Sequence, residues 1–183
     1  MARVLPLLIL LFVVALAPGQ PLRPPKGQTW LTVEIENRGT IAIQLHTKEA
    51  PKTTAHILGL AARRFYDEQR VHRVEKSPRP YIVQLGDPLS KSSLDDARIG
   101  SGGSGTRIPF EDSGFPNVAG AVGLAALPEQ KDTGDSQFYI LLADARLLDG
   151  KYTVFGQVVR GMDVLQRVER GDRVLSVRSV VGQ

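Results

Sequence analysis

Leu31, Val33 and Ile35 alternate with Thr32 and Glu34, and after Asn37-Arg38-Gly39 the alternation resumes with Ile41, Ile43 and Leu45 around Ala42 and Gln44. Strand side chains point to opposite faces with period two, so each run lays one apolar face on a core. The Asn-x-Gly between them predicts a hairpin turn. The period then changes. Over residues 50–64, Ile57, Leu58, Ala61 and Ala62 fall at helical spacing and Pro51 suits a first helical turn, which predicts an amphipathic helix. Two short apolar stretches, Val71–Val74 and Tyr81–Leu85, flank a polar EKSPRP segment that reads as a loop. Residues 88–117, rich in Gly, Ser, Asp and Pro, read as loop with short strand pieces. Val118–Leu127 and Gln137–Leu142 read as strands around the polar loop PEQKDTGDS. Thr153–Val159 reads as a strand, Gly161–Val168 as a helix and Arg173–Val181 as a closing strand. Many strands, two separated helices and long loops imply a β-rich barrel or sandwich.

The N-terminus follows another pattern. Arg3 precedes an apolar run, Val4–Ala17, with a small-residue exit at Ala15-Leu16-Ala17. A basic start, a short apolar stretch and small residues at its end mark a secretory signal. The run falls short of the roughly 20 residues that a membrane-spanning helix needs. Residues 1–19 are therefore read as a signal peptide, with an uncleaved anchor as the alternative. Residues 20–28 read as a Pro-rich linker and 29–183 as one folded domain. The expected location is exported: periplasm, secretory-pathway lumen or extracellular space, or membrane-anchored if the segment stays uncleaved.

Composition narrows the chemistry. At 183 residues, 42% hydrophobic and 23% charged, the chain can bury a sizeable core. With no cysteine, disulfides, zinc–thiolate sites and thiol catalysis are excluded. The net charge of +4 is spread out with no long basic run, so no nucleic-acid partner is expected. His46, His56 and His72 lack metal-site spacing, and no metal or cofactor is expected. No G-x-S-x-G nucleophile elbow is present, and GSGGSG at 100–105 lacks the Lys-Ser/Thr of a phosphate loop and reads as a flexible loop. Arg170-Gly171-Asp172 reads as turn chemistry rather than an adhesion motif.

Several segments, in order, resemble the cyclophilin family of peptidyl-prolyl isomerases. They are GTIAIQLHTKEAPKTTAHILGLA, FYDEQRVHRV, IVQLGDP, GSGGSGTRIPFED, NVAGAVGLA, DSQFYI and LLDGKYTVFGQVVRGMDVLQRV, which together span most of Leu31 to Val181. The resemblance implies a closed eight-stranded antiparallel β-barrel capped by two α-helices. Its peptide site lies on an outer face, because side chains fill a small barrel. It also implies a monomer that accelerates cis/trans isomerisation of X–Pro bonds in client proteins. Arg73 aligns with the family's catalytic arginine, and Gln84 with the glutamine that orients it. Tyr81, Ile82, Leu124, Tyr139 and Leu148 align with the proline pocket, Ala125 and Ala126 with contacts to the peptide backbone, and Gln137 with a neighbouring subsite. Leu147 stands where many members carry a bulky aromatic, and Tyr152 where His is frequent. Two pocket phenylalanines read as Tyr81 and Tyr139, and each hydroxyl needs a partner or solvent. EKSPRP lengthens the segment between His72 and Gln84. A binding domain without catalysis, or a holdase chaperone using the same groove, are the alternatives on this fold.

Overall fold

The computed structural model describes residues 23–77 and 81–183. The signal-peptide reading for 1–19, the start of the 20–28 linker and the end of the EKSPRP loop lie outside the described residues. The first hairpin is β1 (Thr29–Ile35) and β2 (Gly39–Leu45), antiparallel, with Val33 opposite Ile41. Asn37 takes a left-handed backbone (φ 58°) in the turn, a conformation asparagine tolerates.

α1 (Pro51–Ala62) follows, burying Ile57, Leu60 and Ala61. Its N-cap, Ala50, offers no side-chain hydrogen bond. Glu111 supplies one from the long loop: its carboxylate accepts from the amides of Lys52 (3.0 Å) and Thr53 (2.8 Å) and from the Thr53 hydroxyl (2.7 Å). A carboxylate at that end satisfies orphan N–H groups and complements the helix dipole.

The chain continues through β3 (Arg73–Glu75), β4 (Ile82–Leu85), β5 (Ala121–Leu124), β6 (Phe138–Leu141), β7 (Val154–Arg160), α2 (Met162–Arg167) and β8 (Val174–Val181). One eight-stranded sheet results, in the order β3-β4-β6-β5-β7-β2-β1-β8, with every pairing antiparallel. The sheet is open, which corrects the expectation of a closed barrel. Its end strands β3 and β8 share no ladder, and β3 has only three residues to offer. The seam is joined just before both strands, by an isolated bridge of Arg70 with Arg173 and by hydrogen bonds such as Val71 N–H to Asp172 O (2.9 Å). The strand expected over 118–127 is also shorter. Asp144 takes the amide of Ala119 (2.9 Å) at one end and the Thr133 hydroxyl oxygen that of Leu127 (2.8 Å) at the other, which withdraws them from the ladder.

Alternation sorts the side chains into two cores. Leu31, Ile43, Val83, Leu124, Phe138 and Phe155 belong to the large interior cluster, under α1 and α2. Ile82, Ala121, Tyr139 and Leu141 form a smaller cluster of their own, against which Tyr81, Ala125, Leu148 and Tyr152 pack. β4, β5 and β6 are therefore buried at every position and read in sequence as apolar runs rather than alternation.

Candidate active site

β3 pairs with β4 so that Arg73 lies opposite Gln84 and Glu75 opposite Ile82. Period two puts Arg73 and Glu75 on one face. The Arg73 guanidinium donates from Nε to Glu75 (2.8 Å) and from Nη1 to Gln84 Oε1 (3.2 Å). Gln84 Nε2 then donates to Gln137 Oε1 (3.0 Å), and Gln137 Nε2 to the carbonyls of Gly100 (2.9 Å) and Gly102 (2.7 Å). A guanidinium can only donate, so Gln84 must turn its oxygen toward Arg73. That choice fixes the orientation of both amides in the chain.

The relay ends on the glycine-rich loop, which is held from several sides. Asp87 is fully buried and accepts from the amides of Leu89 (2.8 Å), Gly100 (2.6 Å) and Gly102 (3.2 Å). A Cβ at Gly102 would sit 2.1 Å from Asp87 Oδ1, so only glycine lets the backbone come this close. Asp135 accepts from the Ser104 hydroxyl and the Gly105 amide. The segment read as flexible is thus tied to the site.

His72 lies next to Arg73 in sequence, 5% exposed, and neither ring nitrogen finds a hydrogen-bond partner among the described residues. Burial holds its pKa below the ordinary value; Asp87 and Gln137 oppose this, while Arg73 and Arg170 add to it. The Arg-Gly-Asp triplet is engaged inside the fold. Arg170 donates to the carbonyls of His72 (3.1 Å) and Leu94 (2.6 Å), and Asp172 pairs with Arg38 (2.8 Å).

The opposite wall is buried. Tyr139 lies opposite Gly123, where a Cβ would fall 2.1 Å from its Cζ. Its hydroxyl donates to Asn117 Oδ1 (2.7 Å). Asn117 in turn donates from its backbone (2.7 Å) and side chain (3.2 Å) to Asp149. Desolvation pushes the Tyr139 phenol far above its ordinary pKa, so it remains a neutral donor. The Asn117 amide, followed by Arg146, holds the Asp149 carboxyl below the usual range. Tyr152 meets Tyr139 edge to face, with centroids 5.9 Å apart.

Between these walls lies a cavity of about 220 Å³. Arg73, Tyr81, Ile82, Gln84, Ala125, Ala126, Tyr139, Leu148 and Tyr152 all line it, and so does Pro128, which the sequence did not single out. Leu124 does not. It shares the inward face of β5 with Val122 and belongs to the interior core. Leu147 is also outside the lining; it stands 63% exposed on the turn Arg146–Leu148. Gln137 lines a larger adjoining cavity of about 560 Å³, with the Gly100–Gly103 backbone, Arg107 and Asp135. That cavity is roomier, but Arg73 and the aromatic walls border the smaller one. Glu75 was missed although its i+2 spacing from Arg73 placed it on the same strand face. Among the described residues, no cluster of three or more His, Asp or Glu is arranged to hold a metal ion.

The comparisons with known proteins agree with this architecture. The sequence model of the family described as cyclophilin type peptidyl-prolyl cis-trans isomerase/CLD matches residues 30–180. A peptidyl-prolyl cis-trans isomerase of Helicobacter pylori is 34% identical over 143 residues, covering 77% of this chain and 81% of its own. The human peptidyl-prolyl cis-trans isomerase-like 1 is 36% identical over 151 residues, covering 79% and 83%. The crystal structure of a Cryptosporidium parvum cyclophilin type isomerase, determined in the presence of the dipeptide Ala-Pro, shares the fold. Its TM-score is 0.68 at 22% identity, covering 84% of this chain and 99% of that one. The chain belongs to the cyclophilin-type peptidyl-prolyl cis-trans isomerase family.

Proposed function

We propose that this chain accelerates cis/trans isomerisation of X–Pro bonds in proteins folding outside the cytoplasm. The observation that carries the reading is a guanidinium held by two partners at the rim of a cavity of about 220 Å³ that Tyr81, Ile82, Tyr139 and Leu148 also line. Amide resonance sets an isomerisation barrier of about 18–20 kcal/mol. At the top of that barrier the amide is twisted and its nitrogen is pyramidal, with a free lone pair. The proline ring sits among Tyr81, Ile82, Tyr139 and Leu148 while the preceding carbonyl rotates. Arg73 donates to the nitrogen only once its lone pair is freed, which stabilises the transition state over either ground state. A 10⁵-fold acceleration requires about 7 kcal/mol of such preference. No proton is transferred, so His72 need not titrate for turnover. Ala125 and Ala126 border the cavity where the peptide backbone passes.

The dipeptide present with the parasite relative supports proline-containing segments of client proteins as ligands. The exported location rests on Arg3 and the apolar run that follows. Finding the unprocessed full-length chain in the cytosol would overturn it. A second reading, a proline-peptide-binding domain without catalysis, draws on the Glu75 carboxylate that already engages Arg73.

The test is relaxation of a cis X–Pro reporter peptide with the parent and with Arg73→Ala. Loss of a transition-state donor predicts a drop of about a hundred-fold. A folded parent that binds the peptide without accelerating it would select the second reading. Less than a ten-fold drop would keep the enzyme and remove Arg73 from its mechanism.

A further inference from the structure

We infer that Glu75 is a positioning residue, which holds the Arg73 guanidinium in the orientation that meets the substrate nitrogen; the inference rests on the isomerase reading above. Glu75 Oε1 lies 2.8 Å from Arg73 Nε and 2.6 Å from Nη2, so one carboxylate oxygen grips the side edge of the guanidinium. Gln84 takes Nη1. Of the five N–H donors that arginine carries, the recorded hydrogen bonds engage the one on Nε and one on Nη1, so those that remain are carried by the two Nη atoms. Arg73 lines the cavity, so this constrained group is the one offered to a ligand there.

Arg73 needs such a hold. It sits on a three-residue strand at the end of the sheet, with its side chain 47% exposed. A long side chain in that place samples many rotamers unless two contacts fix it. Glu75 is itself fixed by its neighbours. Val74 packs against the interior core. Lys76 Nζ donates to the carbonyls of Gln166 (2.7 Å) and Val168 (2.6 Å) at the C-terminal end of α2. The Glu75 carbonyl accepts from the Tyr81 amide (2.9 Å), which delivers Tyr81 to the cavity from the other side of the loop. The EKSPRP segment that departs from the family pattern begins with this glutamate.

Half-exposed ion pairs contribute little to stability. The effect of this pair is therefore expected in rate. Saturation kinetics by NMR line shapes of an X–Pro peptide would compare the parent with Glu75→Ala and Glu75→Gln. Misorienting the donor predicts that kcat falls about ten-fold in Glu75→Ala, with KM within about two-fold because the cavity walls are untouched. Glu75→Gln keeps the shape and one neutral acceptor, and charged acceptors bind about twice as strongly as neutral ones, so a fall of about three-fold is expected. The Arg73 Nε–H resonance should be sharp and protected from solvent exchange in the parent. In Glu75→Ala it should shift and exchange faster, with thermal unfolding unchanged. A kcat equal to or above the parent's, a loss confined to KM, or an unmoved Nε–H resonance would overturn the inference. A parent that binds peptide without isomerising it removes the reading underneath and the inference with it; an active parent matched by both Glu75 variants removes the inference alone.

Discussion

The two walls of the small cavity are built by opposite means. On the Arg73 side, a short edge strand carries a half-exposed cation held by Glu75 and Gln84. On the Tyr139 side, a buried ring fills the space left by Gly123, and its hydroxyl is paired with a fully buried asparagine. Exposed charge pairs are weak holders of a fold and are easily screened. Buried packing and satisfied buried polar groups are strong ones. The difference teaches a division of labour: damage to the Tyr139 wall should appear first as lost stability, and damage to the Arg73 wall as lost rate.

The strongest attempt to break that contrast is Gly123→Ala. The added methyl would overlap the Tyr139 ring, 2.1 Å from its Cζ, and a ring that shifts to make room gives up the hydrogen bond of its hydroxyl to Asn117. Overpacking of this severity is expected to cost about 3 kcal/mol, read as a lower urea midpoint. A variant as stable as the parent would show that the wall yields. Asn117→Ala follows, with about 2 kcal/mol lost because it leaves the buried Tyr139 hydroxyl without an acceptor. Adding Tyr139→Phe should then restore part of that loss. Without recovery, the hydroxyl–amide bond is not what Asn117 contributes.

A smaller effect sharpens the comparison from behind Arg73. The pKa of His72 is depressed by burial below its ordinary 6.5, so the unfolded chain binds a proton more readily than the folded one. Its contribution to stability is then fully present above pH 6.5 and is lost as pH falls through that value toward the folded pKa. His46 is also depressed by burial and adds a slope of the same sign. Urea titrations at pH 7.5 and 5.5 should show stability falling with acid in the parent and falling less in His72→Gln. Equal slopes would mean that His72 accepts its proton without strain, with Asp87 as its counter-charge.

How much of this was legible depends on what faces what. β1 and β2 send Leu31, Val33, Ile35, Ile41, Ile43 and Leu45 into the interior core, and that alternation names them in sequence. β4, β5 and β6 are covered on both faces, which hides the alternation, so no pattern sorted Leu124 to the interior and its pocket reading rested on family likeness alone. Its period-two partner Val122 points inward, while Gly123 faces Tyr139. Arg73, Gln84 and the aromatic lining came from family likeness, because nothing in their spacing separates them from ordinary strand positions. Asn117 could not be read at all: it meets Tyr139 across 22 residues, and only folding brings them together. Whether the sheet closes was equally hidden, since the seam depends on a few hydrogen bonds between segments about a hundred residues apart.

The smallest expected effect tests where the buried wall ends. Leu147 and Leu148 are adjacent on one tight turn, yet only Leu148 lines the cavity, and Leu147 is 63% exposed. An exposed leucine touching no core gives up little when truncated, so Leu147→Ala should change stability by less than about 0.5 kcal/mol. It should also leave kcat unchanged, because Leu147 meets neither Arg73 nor the relay behind it. KM is the sensitive quantity. A peptide extending past the proline could cover Leu147 and recover part of its apolar surface, but a short reporter confined to the cavity could not. Saturation kinetics with a short and a longer proline peptide separate these cases. Unchanged KM for both peptides would end the wall at Leu148. A rise of about three-fold for the longer peptide alone, equivalent to about 0.65 kcal/mol, would extend the binding surface one residue outward and leave the rate-setting side untouched.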